Sequence, residues 1–161
     1  MGDMSKQADN TDSPHVIAPP PLIFAAGFAA GVVLNWLLPI HALPATPFKI
    51  AGRLLAVASG LLAIWAAWTM RGAGTHIDPR RPATALVTNG PFRFTRNPLY
   101  LSLTLLCLGL GLWFDVDWAL VALVPTIVIV QRGVIRREET YLKAKFGNAY
   151  LEYKMKTRRW L

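Results

Sequence analysis

The sequence predicts an all-α integral membrane protein with four transmembrane helices and a C-terminal amphipathic helix in the cytoplasm. Composition is the first reason: 53% of the 161 residues are hydrophobic and only 16% are charged, against roughly a quarter in soluble domains. The second reason is that four apolar blocks have a membrane-spanning length and hold almost no charges. Helices this apolar would be hard to solvate as a soluble bundle.

The first 21 residues are polar and then rich in proline. This composition predicts a disordered tail that ends at the membrane surface. A cleaved signal peptide is a weaker interpretation, because Asp3, Asp9 and Asp12 accompany Lys6 and leave no positive leading region. The remaining residues, 22–161, have the length of one membrane domain.

The four apolar blocks are the predicted spans. They cover residues 22–38, 50–70, 98–114 and 118–135. The third block is at the short end for crossing about 30 Å of hydrocarbon. Pro125 predicts a kink in the fourth block. Tryptophans fall near the block ends, where an aromatic belt would place them: Trp36, Trp68, Trp113 and Trp118.

The net charge of +8 is concentrated beside the apolar blocks. In a soluble protein such a charge would indicate nucleic acid. Here the basic residues crowd into the loop between the second and third blocks and into the segment after the fourth. The positive-inside rule therefore places that loop and both termini in the cytoplasm, with the spans in the inner membrane. Membrane lipid is the expected partner, and nucleic acid is not.

Neither a disulfide nor a metal site is expected. Cys107 is the one cysteine and lies in an apolar block, as a small core side chain would. The three histidines, His15, His41 and His76, lie far apart and lack the spacing of metal ligands.

The third and fourth blocks are joined only by Asp115-Val116-Asp117. A connection this short predicts an antiparallel helical hairpin. The cytoplasmic ends of the two helices then lie side by side, which brings residues 93–100 next to residues 132–139. Two polar clusters that are distant in sequence are thus expected to meet in space.

The first polar cluster is Gly90-Pro91-Phe92-Arg93 followed by Arg96-Asn97-Pro98-Leu99-Tyr100. Gly90-Pro91 is a turn signal, and Asn97-Pro98 is typical of a helix N-cap followed by the first helical residue. Taken alone, this cluster is explained by a capped helix whose arginines obey the positive-inside rule.

The second polar cluster lies on a helix predicted over residues 134–146. At about 100° per residue, Glu138 and Glu139 lean towards an apolar stripe, whereas Arg137 points the opposite way. Carboxylates in such a place need partners, because burying an unpaired charge is unfavourable by several kcal/mol. Pairing of Glu139 with Lys143 at i,i+4 spacing is one interpretation, but it leaves Glu138 unexplained.

Gly147 is predicted to end this helix. The aromatic residues beyond it, Tyr150, Tyr153 and Trp160, are expected to anchor an interfacial tail. Together the two clusters predict a cytoplasmic-side pocket of arginines, carboxylates and aromatic rings that opens towards lipid.

The two clusters resemble the isoprenylcysteine carboxyl methyltransferase and phospholipid methyltransferase superfamily of integral membrane enzymes. The resemblance covers residues 72–160, and the order and spacing of its pieces make it specific. Many members have histidine where this chain has Asn97. The matching residues are both runs of the first cluster, then Arg136-Arg137-Glu138-Glu139, Tyr141-Leu142, Phe146-Gly147, Tyr150 and Tyr153.

The resemblance implies methyl transfer from S-adenosylmethionine to a lipid-like or prenylated acceptor. Glu138 or Glu139 suits the ammonium of the cofactor, and the ring of Tyr100 suits its sulfonium. An arginine would hold a carboxylate acceptor, whereas an amine acceptor would need deprotonation by one of the glutamates. The implied cofactor-binding residues are Pro91, Phe92, Arg93, Asn97, Pro98, Tyr100, Glu138 and Glu139, and the implied catalytic residues are Arg96, Arg136 and Glu139.

Two other functions remain open at this point. A small four-helix transporter would need an ionisable group at the membrane midplane, and Arg53 lies near a block end instead. A non-catalytic membrane scaffold would keep the fold without turnover. Residues 75–79, with His76 and Asp78, are interpreted as a loop at the membrane surface, where Arg80 and Arg81 meet lipid phosphates. Contact of this loop with cofactor or substrate is the less favoured alternative.

Overall fold

The computed structural model describes residues 13–40 and 45–161, and within them the protein is helical without a strand. Residues 1–12 of the predicted tail and His41 lie outside the described residues. A 3₁₀ turn, Gly90–Arg93, precedes the third helix, and a π-helical turn, Gln131–Ile135, joins the last two. The helices are α1 Pro20–Leu37, α2 Ala45–Gly72, α3 Pro98–Trp113, α4 Asp117–Val130 and α5 Arg136–Lys156.

Three of these helices are long and apolar enough to cross a membrane, namely α1, α2 and the continuous helix that runs from α4 through the π turn into α5. Helix α3 is apolar but shorter, with 16 residues. Large apolar side chains on α2 face outwards: Leu61 is 64% exposed and Trp68 is 68% exposed. These features fit an integral membrane protein, and the predicted blocks match α1 to α4 to within a few residues.

Close helix pairs use small residues. A Cβ atom on Gly52 of α2 would lie 2.6 Å from the carbonyl oxygen of Gly109 in α3, and one on Gly31 of α1 would lie 2.7 Å from the backbone nitrogen of Ala119 in α4. Such contacts let helix backbones approach closely, as is common between membrane helices. Helix α2 therefore packs mainly against α3 and α1 mainly against α4, so α1 and α2 flank the α3–α4 pair without extensive contact with each other.

Helices α3 and α4 form the predicted hairpin. The chain reverses at Asp115, whose φ of 55° is in the left-handed region, and the amide of Val116 donates to the carbonyl of Gly111 at 2.9 Å. At the other end of the hairpin, Tyr100, Val134 and Ile135 join one buried core cluster. Cys107 is buried in this core, as predicted.

The segment after Gly147 differs from the prediction. Gly147 interrupts α5 with a φ of 53°, in agreement with the expected break, but a second helical segment continues to Lys156. The prediction of interfacial anchors is wrong for Tyr150 and Tyr153, because both are buried and the hydroxyl of Tyr153 donates to the carbonyl of Phe92 at 2.8 Å. The C-terminal segment thus folds back over the mouth of the hairpin.

Candidate active site

The open end of the hairpin brings the two polar clusters together. Tyr100, in the first turn of α3, donates its hydroxyl to Oε2 of Glu138, in the first turn of α5, at 2.7 Å. This contact confirms the predicted neighbourhood of residues 93–100 and 132–139. Burial raises the pKa of Glu138 above its ordinary value, and the nearby charge of Glu139 adds to the shift, whereas the Tyr100 hydrogen bond opposes it only in part.

Glu139 is held by two arginines. The guanidinium of Arg159 binds it in a bidentate manner: Nε donates to Oε1 at 2.8 Å, and Nη2 donates to Oε2 at 2.6 Å. Nη1 of Arg96 lies 3.3 Å from Oε1. Burial by itself raises the pKa of Glu139, but the hydrogen bonds from Arg159 and the charge of Arg96 outweigh it, so the pKa is lowered overall. Arg159, rather than the expected Lys143, is the partner that the structure shows in these bonds.

The C-terminal segment is fastened to the start of α3. The side-chain amide of Asn97 donates to the carbonyl of Arg159 at 2.9 Å, and the hydroxyl of Thr95 donates to the same oxygen at 3.1 Å. The backbone amide of Arg96 donates to the carbonyl of Arg158 at 2.9 Å. Asn97 does occupy the N-cap position of α3, but its side chain makes no capping hydrogen bond, because it is directed to Arg159 instead.

Two cavities share a wall at Glu138. The charged cavity, of about 80 Å³, is lined by Glu138, Glu139, Arg96 and aromatic rings that include Tyr150. The apolar cavity, of about 460 Å³, lies between the start of α1, the end of α2 and the first turns of α3. The side chains that line both cavities include Met70, Phe92, Arg96, Asn97 and Glu138.

The loop after α2 covers the charged cavity. The two ends of the loop are joined by the hydroxyl of Thr84, which donates to the carbonyl of Gly74 at 2.6 Å. The loop also contacts α5, because the amide of Ala83 donates to the hydroxyl of Tyr141 at 3.1 Å. Asp78 lines both cavities and pairs with Arg80, whose Nη2 lies 2.8 Å from Oδ2. Hydrogen bonding to Arg80 lowers the pKa of Asp78.

The loop and its charges therefore belong to the site. The sequence predicts that residues 75–79 lie at the membrane surface and that Arg80 meets lipid phosphates. The structure places His76 and Asp78 in the wall of the charged cavity and pairs Arg80 with Asp78. The location of this loop at the membrane surface stays a prediction. No periodic pattern in the loop marks these positions.

Most of the predicted site residues line one cavity or both, but three do not. Pro91 is fully buried, and its carbonyl accepts the amides of Phe94 and Thr95. Arg93 and Arg136 are exposed and line two other surface cavities. The residues brought together are Phe92, Arg96, Asn97, Pro98, Tyr100, Glu138 and Glu139.

Comparison with known proteins gives three findings. A family model described as "Phospholipid methyltransferase" matches residues 48–149, which include both polar clusters. An uncharacterized protein of Haemophilus influenzae is 44% identical to this chain over 63 residues, which make up 39% of this chain and 100% of that protein. No solved structure matches the chain.

Proposed function

Because this chain belongs to the phospholipid methyltransferase family, we propose that it transfers a methyl group from S-adenosylmethionine to a lipid-like acceptor. The contact between Tyr100 and Glu138 carries this proposal, since the charged and the apolar cavity adjoin there. Two cavities of different polarity suit two ligands, a charged one and an apolar one. The cofactor, when bound, supplies an electrophilic methyl group on a sulfonium.

The residues of the charged cavity fit this cofactor. Its ammonium group needs a carboxylate, and Glu138 is hydrogen-bonded to a neutral hydroxyl rather than to a cation. Its carboxylate group needs a cation, and Arg81 lines the same cavity. Its sulfonium favours an aromatic face, for which Tyr100 lies at the boundary of the two cavities.

Glu139 acts as a positioning residue in this proposal. Its two oxygen atoms already accept two hydrogen bonds from Arg159 and approach Arg96, which leaves little capacity for a ligand. The carboxylate thereby fixes Arg96, which lines both cavities, and holds the C-terminal segment over the site. Arg93 and Arg136 receive no role, because their side chains lie elsewhere on the surface.

The charges of the apolar cavity favour an amine or another neutral nucleophile over a carboxylate acceptor. Arg80 and Arg96 are the two arginines in its wall, and each is paired with a carboxylate. A carboxylate acceptor, such as that of a prenylated cysteine, would therefore have to share an arginine that a carboxylate of the protein already binds. A neutral amine needs no cation in that wall.

The apolar cavity also suits an acceptor that arrives from the bilayer. Its wall is formed by prolines at the start of α1, by Ala63 and Met70 of α2 and by Leu99 and Leu103 of α3. Since α1 and α2 make no extensive contact with each other, we expect a gap between them that leads from this cavity to the outer surface of the helices. An acyl or prenyl chain can occupy that gap while its polar end reaches Glu138.

We also propose that α1 to α4 cross the inner membrane and that α5 lies at its cytoplasmic face, with both termini in the cytoplasm. Most of the basic residues lie at the site end of the helices, as the positive-inside rule requires. At the hairpin turn, Lys49 forms an ion pair with Asp115 at 2.6 Å. Helix α3 has 16 residues and reaches only about 24 Å, so Tyr100 would lie near the edge of the hydrocarbon.

Calorimetric titration of the detergent-purified protein with S-adenosylhomocysteine tests the cofactor assignment. Wild type is expected to bind, and Glu138→Gln is expected to weaken binding about tenfold, because a charge-assisted hydrogen bond becomes a neutral one. Glu152→Gln is the matched control, since Glu152 is an exposed carboxylate of the same helix that lines a separate cavity. Absence of binding by wild type, or full affinity after joint Glu138→Gln and Glu139→Gln substitution, contradicts the assignment.

Incubation with methyl-labelled cofactor and total membrane lipid tests the reaction. A labelled lipid product is expected, and its chemical class identifies the acceptor. Label on an amine nitrogen supports a neutral acceptor, as the paired arginines of the apolar cavity favour. A base-labile methyl ester shows instead that a carboxylate is the nucleophile. If the cofactor binds and no lipid is labelled, the protein is a scaffold that has kept the fold without turnover.

A further inference from the structure

A short segment that ends in the first turn of α1 runs along both cavities. We name residues 14–21 the strap. Pro14 lines the charged cavity, and Pro19, Pro20 and Pro21 line the apolar cavity. Pro14 and Pro20 are themselves buried. The strap is thus part of the site, although sequence composition predicts a disordered tail here.

The strap is fastened to the turn that carries Glu138. The amide of Ile17 donates to the carbonyl of Gly133 at 3.4 Å, and Nη1 of Arg137 donates to the carbonyl of His15 at 2.7 Å. Gly133 lies in the π-helical turn, a wide turn that recurs at functional sites. A Cβ atom at Gly133 would lie 2.8 Å from Cγ1 of Ile17 and closer still to its Cδ1, so a larger residue at this position would displace the end of the Ile17 side chain, which is 53% exposed on its other side.

The prolines of the strap allow the single contact at Ile17 to fix the position of the whole segment. Each proline ring fixes φ near −65°, and Pro19 has a φ of −57° and a ψ of 125°. Pro19 therefore stiffens the connection between Ile17 and α1, and Pro20 and Pro21 stiffen the first turn of that helix. Little chain entropy is lost in holding them in place, so the position of Ile17 is transmitted to the wall of the apolar cavity.

We propose that the strap is a fixed wall of the acceptor site and that Ile17, seated against Gly133, is the residue that positions it. The inference rests on the proposed function of the two cavities. If Ile17 leaves its seat, the prolines no longer close the apolar cavity and water enters. Acceptor binding is then weakened more than cofactor binding, because the charged cavity meets the strap only at Pro14. Since the acceptor is proposed to enter between α1 and α2, the strap need not move during turnover.

A reversible cross-link tests this proposal on a single protein. In a Cys107→Ala background, Ile17→Cys and Gly133→Cys place two thiols at a contact short enough for a disulfide. The reduced protein lacks the contact between the Ile17 side chain and Gly133. In the oxidised protein, the disulfide holds the strap against the π-helical turn. With labelled cofactor and total membrane lipid in mixed micelles, reduction is expected to raise the apparent KM for lipid about tenfold and to change kcat less than twofold. Oxidation is expected to reverse the effect.

Two substitutions provide controls for the cross-link. Glu152→Cys in place of Gly133→Cys is expected not to cross-link with Ile17→Cys, because Glu152 lines a different cavity together with Arg93. Ile17→Val keeps a branched side chain in the seat and is expected to keep the KM of wild type within twofold, whereas Ile17→Ala raises it about tenfold. The affinity for S-adenosylhomocysteine is expected to stay within threefold in all of these proteins.

The outcomes separate the strap from the proposed function. If wild type labels no lipid, the proposed function fails. If wild type labels lipid but the KM is the same in the oxidised and reduced proteins, the strap is not a wall of the acceptor site. If oxidation instead stops turnover and reductant restores it, the strap has to open during the reaction, and the proposal of a fixed wall is overturned.

Discussion

Two adjacent carboxylates on α5 have opposite surroundings. Glu138 faces the hairpin and accepts a hydrogen bond from a neutral phenol, that of Tyr100. Glu139 faces the C-terminal segment and is bound by the cations of Arg159 and Arg96. Burial raises the pKa of Glu138, whereas the two arginines lower the pKa of Glu139 despite its burial. One residue type at two successive positions is thus prepared for two tasks.

The difference shows where binding capacity remains in the site. A carboxylate that two guanidinium groups already satisfy stabilises the fold and positions its partners. A largely buried carboxylate whose partner among the described residues is a hydroxyl is unfavourable for folding and attracts a cation. Residues kept in such an unfavourable state are more often functional than structural. The comparison therefore favours Glu138 as the ligand-binding carboxylate of the proposed function and Glu139 as the one that stabilises the fold.

The largest expected effect is on stability. Glu139→Gln leaves Arg159 and Arg96 without their anion, and loss of one member of a largely buried pair lowers the free energy of unfolding by about 3 kcal/mol. Glu138→Gln removes an unfavourable charge and keeps a group that can bond to Tyr100, so the free energy of unfolding is expected to stay within about 1 kcal/mol of the wild-type value. Denaturant unfolding of both variants in the same detergent measures this contrast. Equal losses would mean that the two carboxylates do not differ in role.

The next effect concerns the fastening of the C-terminal segment. Asn97→Leu removes the amide that donates to the carbonyl of Arg159 and leaves that oxygen with only the Thr95 hydroxyl, which is expected to lower the free energy of unfolding by about 1–2 kcal/mol. Asn97→His offers a ring N–H to the same carbonyl and is expected to lose less than half as much. Thermal unfolding of the two variants and wild type gives the comparison. A histidine variant as unstable as the leucine variant would show that the donor is not what matters at this position.

The helices and the meeting of the two clusters could be predicted from the sequence, because both follow from local rules. Apolar runs of fixed length define α1 to α4, and the link Asp115-Val116-Asp117 forces a hairpin, which places Tyr100 beside Glu138. The helical period also predicts that both carboxylates lean inwards, as the partners of Glu138 and Glu139 show. A short connection and a regular period carry this information without knowledge of distant contacts.

The closure of the site could not be predicted in the same way. Arg159 lies 20 residues beyond Glu139, on the far side of the break at Gly147, where helical spacing no longer applies. The loop residue Asp78 and the strap residue Ile17 reach the site through irregular backbone, and no period specifies their direction. The side chain of Asn97 satisfies the rule for a cap by type and position, yet its tertiary partner prevails. Such contacts depend on the assembled fold.

The smallest effect, and the most specific to the comparison, is the dependence of stability on pH. The lowered pKa of Glu139 gives a contribution that is complete above its ordinary value of 4.5 and is lost as the pH falls through the lowered value. The raised pKa of Glu138 acts in the opposite direction, because ionisation of the buried carboxyl above pH 4.5 costs stability until the raised value is passed. Each carboxylate changes the free energy of unfolding by at most about 1.4 kcal/mol per pH unit within its window.

The two glutamine variants separate these contributions. In unfolding measurements across the acidic and neutral range, Glu139→Gln is expected to lose part of the decline that wild type shows below pH 4.5. Glu138→Gln is expected to lose part of the decline that accompanies a rise in pH above 4.5. Asp78→Asn serves as a control, since Asp78 also has a lowered pKa but pairs with the exposed Arg80, where solvent screening keeps the effect small. Curves that change in the same direction in both glutamine variants would show that one shared environment, rather than two, governs the pair.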